Sequence, residues 1–178
     1  MLMDGNSMHP VSQFLSVFLS IYMWIIVIAA LISWVRPDPH HPIVKFLYSV
    51  TEPVLKPIRQ RIGIISGIDI SPFILILSIM FFVLYLKTGR FILAFTQTLD
   101  TLLSIYMWIM IISALTSWVS PDPRNTVVRF LHAATDPVLR PIRRRIGIIS
   151  GIDLSPMIVI LVILFIKTFI ITSLNDQL

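Results

Sequence analysis

The first long stretch of the chain, Val11–Val35, contains no charged residue. Its last 19 residues, from Val17 onward, could cross a hydrocarbon layer of about 30 Å as a helix that rises about 1.5 Å per residue. The whole chain is 56% hydrophobic and only 13% charged, whereas a soluble domain carries roughly 25% charged residues. Much of its surface must therefore face lipid, and we predict a polytopic membrane protein of the all-α class.

The chain repeats itself after 84 residues. The segment Leu19–Ile25 recurs at Leu103–Ile109, and the segment Arg61–Asp69 recurs at Arg145–Asp153. Self-similarity of this kind predicts one structural unit that is built twice. We place the two units at residues 14–95 and 98–178.

Four transmembrane helices are predicted, two in each unit. Each first span ends at a tryptophan that is followed shortly by a Pro-Asp-Pro segment, an interfacial aromatic residue and then a helix stop. Each second span opens with a Ser-Pro pair, at Ser71 and at Ser155, which predicts a serine N-cap with proline in the first turn. Two spans return the chain to its starting side, so the repeats should be parallel. The predicted spans lie near 14–35, 71–90, 98–119 and 155–174.

Basic residues are concentrated in the loop between the two spans of each unit. Loop 36–70 carries five Lys or Arg residues and loop 120–154 carries six, whereas the rest of the chain has three. The positive-inside rule therefore places both loops in the cytoplasm and both termini on the opposite side. In a bacterium this corresponds to a multi-pass protein of the inner membrane with periplasmic termini.

Each loop begins with apolar residues at helical spacing, which predicts an amphipathic helix at the membrane surface. The order Thr-acid-Pro at Thr51 and at Thr135 predicts that a new short helix starts there. The basic residues that follow could dock anionic lipid head groups or a partner protein, or could serve only to set the topology. These residues are Lys56, Arg59, Arg61, Arg140, Arg143, Arg144 and Arg145.

A second set of candidate residues lies inside the spans. Small residues separated by three others allow helices to approach closely, although small residues are also common in spans that face lipid. Deep tyrosine and tryptophan side chains carry polar groups that usually bond a neighbouring helix. The candidates for helix packing are Ala29, Ser33, Ser113, Ser117, Tyr22, Trp24, Tyr106 and Trp108. On this basis we predict that the first and third spans meet.

Three ionisable residues near the spans each allow two roles. Asp69 and Asp153 precede the second spans, so they could bind a proton or cation, or could complement the positive end of the helix dipole. Lys167 lies about 18 Å along its helix from Ser155. It could act within the membrane, or could extend its ammonium group to the far interface.

Several kinds of chemistry are excluded by composition. The chain has no cysteine, so it forms no disulfide, thiolate metal site or cysteine nucleophile. Its histidines lie outside the predicted spans, and no glycine-rich phosphate motif is present. We expect no cofactor, no metal, no catalytic residue and no nucleic acid partner. We also expect no Asp, Glu or Asn within the spans, which argues against a polar ion path within one chain.

The sequence resembles the YggT family of small bacterial membrane proteins, which includes YlmG-type proteins and a chloroplast relative. Three features carry the resemblance in each repeat: a Ser-Trp helix end, a Thr-acid-Pro-x-Leu-basic-Pro-Ile-Arg segment and a Gly-Ile-Asp-x-Ser-Pro segment. They occur at 33–34 and 117–118, at 51–59 and 135–143, and at 67–72 and 151–156.

The resemblance implies a two-unit architecture like that of the enterobacterial type. It also implies a role in tolerance of osmotic shock, in cell division and nucleoid organisation, or in assembly of a b-type cytochrome, and it supplies no catalytic residue. We expect a non-enzymatic scaffold or assembly factor that binds anionic lipids or other membrane or division proteins. The alternative is a channel or flux regulator formed by a homo-oligomer, because four spans are few for a pore. A lipid-modifying enzyme is the least supported class, because only scattered serines and isolated acids are available.

Overall fold

The computed structural model describes residues 10–34, 38, 40–62, 64–65, 67–119, 122, 124–146, 148–149, 152–171 and 173–174. Within these residues the protein is helical apart from two short strand pairs, so the predicted all-α class is confirmed there. The chain divides into two compact units. The first consists of Met1–Gly63 and Asp69–Thr98, and the second consists of Ile64–Ile68 and Leu99–Leu178.

The first half of the chain contains three helices and one hairpin. Helix α1 covers Pro10–Trp34, helix α2 covers Pro42–Ile62 and helix α3 covers Ser71–Thr88. Strands β1 (Ile64–Ile65) and β2 (Ile68–Asp69) form the hairpin between α2 and α3. Gly67 in its turn has a φ of 91°, a left-handed conformation that suits glycine because it has no Cβ.

The second half repeats this order. Helix α4 covers Phe91–Val119, and helix α5 covers Thr126–Ile146. Strands β3 (Ile148–Ile149) and β4 (Ile152–Asp153) pair antiparallel. Helix α6 covers Ser155–Phe165, and the chain continues directly into a π-helical segment at Ile166–Ile171.

Among the described residues, three helices are long and apolar enough to cross a membrane. The candidate spans are Pro10–Ser33, Ser71–Thr88 and Phe91–Thr116, and Ser155–Phe169 forms a shorter apolar helix. The fourth crossing therefore stays a prediction. Helix α4 begins at Phe91 instead of near residue 98, because the apolar residues that follow Phe91 continue the same helix. Asp100 lies inside the candidate span Phe91–Thr116 and also inside the predicted span 98–119, so the expectation that the spans lack acidic residues is wrong for this helix.

The core of the first unit is a cluster of aliphatic side chains from three helices. Ile26 of α1 and Leu55 of α2 pack with Leu75, Ile79 and Val83 of α3. The three α3 residues are spaced by four, so they form one stripe along that helix. The equivalent cluster in the second unit contains Met110, Leu139, Val159 and Ile163.

The loop of each unit contains one continuous helix, so the predicted helix start at the Thr-acid-Pro segment is wrong. Helix α2 runs through Pro53 and Pro57, and helix α5 runs through Pro137 and Pro141. A proline removes one N–H group and normally interrupts a helix. Here the two prolines of each helix are four residues apart, so they share one face, and that face is exposed. Water or head groups can bond the carbonyls that lose their partners there.

The predicted serine N-caps are also wrong. Helix α3 begins at Ser71 itself, and the residue before it offers no side-chain cap. The backbone N–H of Ser71 donates to Asp69 Oδ1 (2.9 Å), and that of Ser155 donates to Asp153 Oδ1 (2.9 Å). Both serine residues are fully buried. The aspartate two residues earlier performs the capping instead, because its carboxylate reaches the free N–H groups of the first turn.

Candidate functional site

Helices α2 and α5 bind their own unit through one face. Val44, Leu47, Thr51 and Leu55 form the buried face of α2. The equivalent residues of α5 are also buried, and they are Val128, Leu131, Thr135 and Leu139. Each of these helices is therefore a fixed part of its unit.

A second face of each helix is apolar and exposed. The side chains of Ile43, Phe46 and Val54 in α2 are 59%, 60% and 39% exposed. Val127 and Val138 in α5 are 55% and 38% exposed. An exposed apolar face on a helix that follows a membrane span is typical of a helix lying in the interface plane. We call α2 and α5 the interfacial helices.

Five of the seven predicted docking residues are exposed on the interfacial helices. They are Lys56 and Arg61 in α2, and Arg140, Arg144 and Arg145 in α5. Arg140 pairs with Asp136 one turn earlier at 2.8 Å, and its side chain remains 67% exposed. Lys56, Arg61, Arg144 and Arg145 form no ion pair within the part of the chain that the structure describes. These cations are available to an anionic ligand.

The other two predicted docking residues are engaged inside the protein. Arg59 Nε donates to Asp69 Oδ2 at 2.5 Å, and its terminal nitrogens donate to the two oxygens of Glu52 at 3.2 Å. Arg143 binds Asp153 Oδ2 through Nε at 2.7 Å and through Nη2 at 2.5 Å. We call Arg59–Asp69 and Arg143–Asp153 the charge clasps. Each clasp joins the end of an interfacial helix to the start of the next helix.

The clasps shift the acid–base properties of their members. Burial alone would raise the pKa of Asp69, but hydrogen bonds from Ser71 and from Arg59 outweigh it and hold that pKa below its ordinary value. The same balance, with Ser155 and Arg143, lowers the pKa of Asp153. Both carboxylates are therefore ionised at neutral pH. Asp69 and Asp153 therefore act as caps of α3 and α6 and as the carboxylate members of the two clasps.

The candidate packing residues separate into two groups. The hydroxyl groups of Tyr22 and Tyr106 donate to the carbonyls of Val50 and Ala134 at 3.1 and 3.2 Å, so each tyrosine bonds the interfacial helix of its own unit. Trp24 and Trp108 are instead 62% and 60% exposed. Sequence reasoning treated these two residue types as alike, and only the tyrosines are brought to a partner.

The small residues also act within a unit. Ala29 is buried, and Ser113 Oγ lies 3.2 Å from Thr135 Oγ1 of α5. Ser33 is exposed, and the side chain of Ser117 lies outside the described residues. Contact between the first and third spans stays a prediction.

Sequence reasoning missed the charge clasps and two further polar contacts. Glu52 joins the first clasp, and Lys167 pairs with Asp100 of α4 at 3.3 Å. The signal for the second was available in the sequence, because a lysine and an aspartate both fall in apolar segments of the same repeat. Among the described residues, no group of three or more His, Cys, Asp or Glu side chains is arranged to hold a metal ion.

Apolar helices that are long enough to span a membrane indicate a membrane protein. The family model described as CCB3/YggT matches residues 8–88 and again residues 92–174. The chain therefore belongs to the CCB3/YggT family, and the predicted resemblance is confirmed.

Relatives from several bacteria match most of the chain. It is 30% identical over 163 residues to a protein of Escherichia coli K12 named "Uncharacterized protein YggT", covering 88% of this chain and 86% of that one. It is 28% identical over 167 residues to an uncharacterized protein of Haemophilus influenzae, covering 91% and 92%. An uncharacterized protein of Pseudomonas aeruginosa is also 28% identical, covering 87% and 85%. No solved structure matches the chain.

Proposed function

We propose that this protein is a non-enzymatic scaffold of the bacterial inner membrane that docks an acidic partner protein on its interfacial helices. The observation that carries the proposal is the arrangement of α2 and α5. Each helix is fixed to its unit by one face, presents apolar side chains on a second face and exposes cations elsewhere. Among these cations, Lys56, Arg61, Arg144 and Arg145 form no ion pair with the residues that the structure describes. A rigid helix of this kind can rest in the head-group layer and still offer its charges.

The duplication strengthens this proposal. A partner with two binding sites that has bound one docking helix meets the other helix at a raised effective concentration, because both helices belong to one chain. The clasps would keep the basic end of each helix close to the start of a membrane helix. The partner would then be bound at the membrane surface. Anionic lipids would bind the same cations more weakly and without fixed orientation.

The proposed topology has both interfacial helices in the cytoplasm and both termini in the periplasm. It rests on the distribution of basic residues, because the two loops hold 11 of the 14 Lys and Arg residues. The cytoplasmic leaflet is also the one that carries a negative surface potential. A basic helix in that layer is attracted to it.

The test is crosslinking in native membranes followed by purification of the full chain. The chain should recover a defined partner, and Arg144→Gln with Arg145→Gln should remove that partner while the clasp residue Arg143 is kept. The matched control is Arg140→Gln, which changes a cation already paired with Asp136 and should reduce recovery less. Recovery of lipid alone, with no protein, would show that the scaffold proposal is wrong.

Tolerance of osmotic shock is one of the physiological roles that the family resemblance implies. A strain that lacks the protein should recover more slowly after an abrupt change in osmolarity. The unaltered chain should restore recovery, and the Arg144→Gln, Arg145→Gln chain should not. Full restoration by that variant would show that tolerance of osmotic shock does not depend on the docking surface.

The alternative function, an oligomeric channel or flux regulator, has one observation in its favour. Asp100 and Lys167 place charge inside apolar helices, but the two groups neutralise each other. The assay is flux of K⁺, Na⁺ and H⁺ through liposomes that contain the purified protein, with and without membrane tension. Flux above that of empty liposomes would favour the channel.

A further inference from the structure

Position 167 of the second unit corresponds to a core position of the first unit. Val83 lies 84 residues earlier, is 7% exposed and belongs to the buried cluster with Leu75 and Ile79. The cluster of the second unit keeps the two equivalents of Leu75 and Ile79, which are Val159 and Ile163. The next position along that stripe holds Lys167. Lys167 therefore occupies the position that holds a buried aliphatic side chain in the first unit.

The ammonium group of Lys167 has partners on helix α4. Its Nζ lies 3.3 Å from each carboxylate oxygen of Asp100 and contacts Ser104 Oγ. The Lys167 side chain is 20% exposed, and the Asp100 side chain is 40% exposed. In the first unit the equivalents of Asp100 and Ser104 are Ser16 and Ser20. Both charges of the pair are therefore particular to the second unit.

The surroundings of the pair are those of a membrane helix. Asp100 lies within the candidate span Phe91–Thr116, about 13 Å from its first residue at about 1.5 Å per residue. An unpaired charge in such a segment is unfavourable, whereas a pair can enter the membrane together. Lys167 also falls in the π-helical segment, a winding that is rare and often marks a functional position.

The segment that carries Lys167 needs support to cross a membrane. Eleven α-helical residues followed by six π-helical residues reach only about 25 Å even at the α-helical rise, short of a hydrocarbon layer of about 30 Å. A short span with a lysine near its end inserts poorly by itself. A contact on a helix that already spans the membrane would hold it there.

We propose that Asp100, Ser104 and Lys167 form an intramembrane lock that holds the last apolar segment of the chain in the membrane against α4. The lock acts within one unit and does not depend on the docking of a partner. A charge at position 100 or 167 must be matched by the opposite charge at the other position, and neither position requires a particular sign.

The test measures which side of the membrane the C-terminus occupies. One cysteine is added after Leu178, which is simple because the chain has no other cysteine, and cells are treated with a maleimide that does not cross the inner membrane. The unaltered chain should be labelled from outside. Asp100→Leu removes the carboxylate that pairs with Lys167 in the membrane, and we expect outside labelling to fall about fivefold or more.

Two rescue variants distinguish the lock from a general loss of folding. Asp100→Leu with Lys167→Leu removes both charges, and Asp100→Lys with Lys167→Asp exchanges them, so both should restore most of the labelling. The matched control transfers the lock to the first unit. There Val83→Lys should reduce outside labelling of an Arg90→Cys chain, whose cysteine lies in the exposed turn between α3 and α4, and added Ser16→Asp should restore it.

Three outcomes would overturn the proposal. They are an unaltered C-terminus that is not labelled from outside, an Asp100→Leu chain that is labelled like the unaltered one, and rescue variants that are labelled no better than Asp100→Leu.

Discussion

Replacement of Asp69 by asparagine isolates the charge of the first clasp. Asparagine keeps an oxygen that can accept the Ser71 N–H, so the cap on helix α3 is retained. It loses the negative charge that binds Arg59 at 2.5 Å. Replacement by alanine loses both the charge and the cap. The two variants together therefore separate two contributions of one side chain.

The magnitude follows from the exposure of the pair. The side chains of Arg59 and Asp69 are 34% and 24% exposed, so solvent screens the pair partly. Exposed ion pairs contribute about 0.2–1 kcal/mol, and hydrogen bonds to charged groups contribute about 1.5–3 kcal/mol. We expect Asp69→Asn to lower the free energy of unfolding by about 1 kcal/mol. Asp69→Ala should lower it by about 2 kcal/mol, because loss of an N-cap adds about 1 kcal/mol.

The assay is reversible unfolding of the purified chain in mixed micelles, followed by tryptophan fluorescence. A double-mutant cycle of Arg59→Met with Asp69→Asn should give a coupling energy of about 1 kcal/mol. The second unit supplies the matched cycle of Arg143→Met with Asp153→Asn. Arg59→Met should be the more destabilising arginine variant, because it also deprives Glu52 of a partner. If Asp69→Asn is as stable as the unaltered chain, the clasp argument is refuted; if it is as unstable as Asp69→Ala, the capping argument is refuted.

The clasp also predicts how stability depends on pH. The pKa of Asp69 is lower in the folded chain than its ordinary value of 3.8, so the folded state binds its proton less readily than the unfolded state. The contribution of the clasp is complete above that ordinary value, and it is lost as the pH falls toward the folded-state pKa. The Asp69→Asn chain should show less acid destabilisation over this range. Equal acid sensitivity of the two chains would contradict the assignment.

The remaining predictions concern topology and packing. Reporters fused after residue 60 and after residue 145 should indicate the cytoplasm, and reporters near residue 95 and at the C-terminus should indicate the opposite side; a reversed result at the loops would contradict the charge argument. Tyr22→Phe and Tyr106→Phe should each lower the free energy of unfolding by about 1 kcal/mol, because each hydroxyl donates to a carbonyl of the interfacial helix; no change in micelle unfolding would show that these bonds contribute nothing. Ala30→Cys with Ala114→Cys should form a disulfide within one chain, whereas Leu77→Cys with Leu161→Cys should not. The opposite pattern would show that the second and fourth spans meet instead of the first and third.

Much of the helix layout could be predicted because the membrane imposes a strong rule. Backbone groups must bond internally in lipid, so a run without charge such as Val11–Val35 has few alternatives to a helix. The start of α3 at Ser71 was predicted correctly for the same reason, since the apolar run begins there. The start of α4 was not, because the apolar residues Phe91–Phe95 lie beyond the length that one membrane crossing needs.

The errors in the loops have a common physical cause. The segment Thr51-Glu52-Pro53 predicts a helix start, because a proline that lacks its N–H group normally interrupts the preceding helix. The structure continues the helix because Leu47, Thr51 and Leu55 all pack inward, and tertiary contact outweighs the local penalty. The clasps were missed for the same reason. Arg59 and Asp69 are ten residues apart, and only the hairpin between them brings the two side chains together.

The two units share two internal hydrogen-bonded contacts and differ in the charges that they expose. Both keep a tyrosine bonded to the interfacial helix and an arginine bonded to the capping aspartate. At the end of the interfacial helix, however, Gln60 and Arg61 of the first unit correspond to Arg144 and Arg145 of the second. The clasp arginine is held inside in both units, so the available charge at this position is twice as large in α5. If the interfacial helices dock an acidic partner, α5 must therefore hold it more strongly, and Arg61→Gln should release less partner than Arg144→Gln with Arg145→Gln.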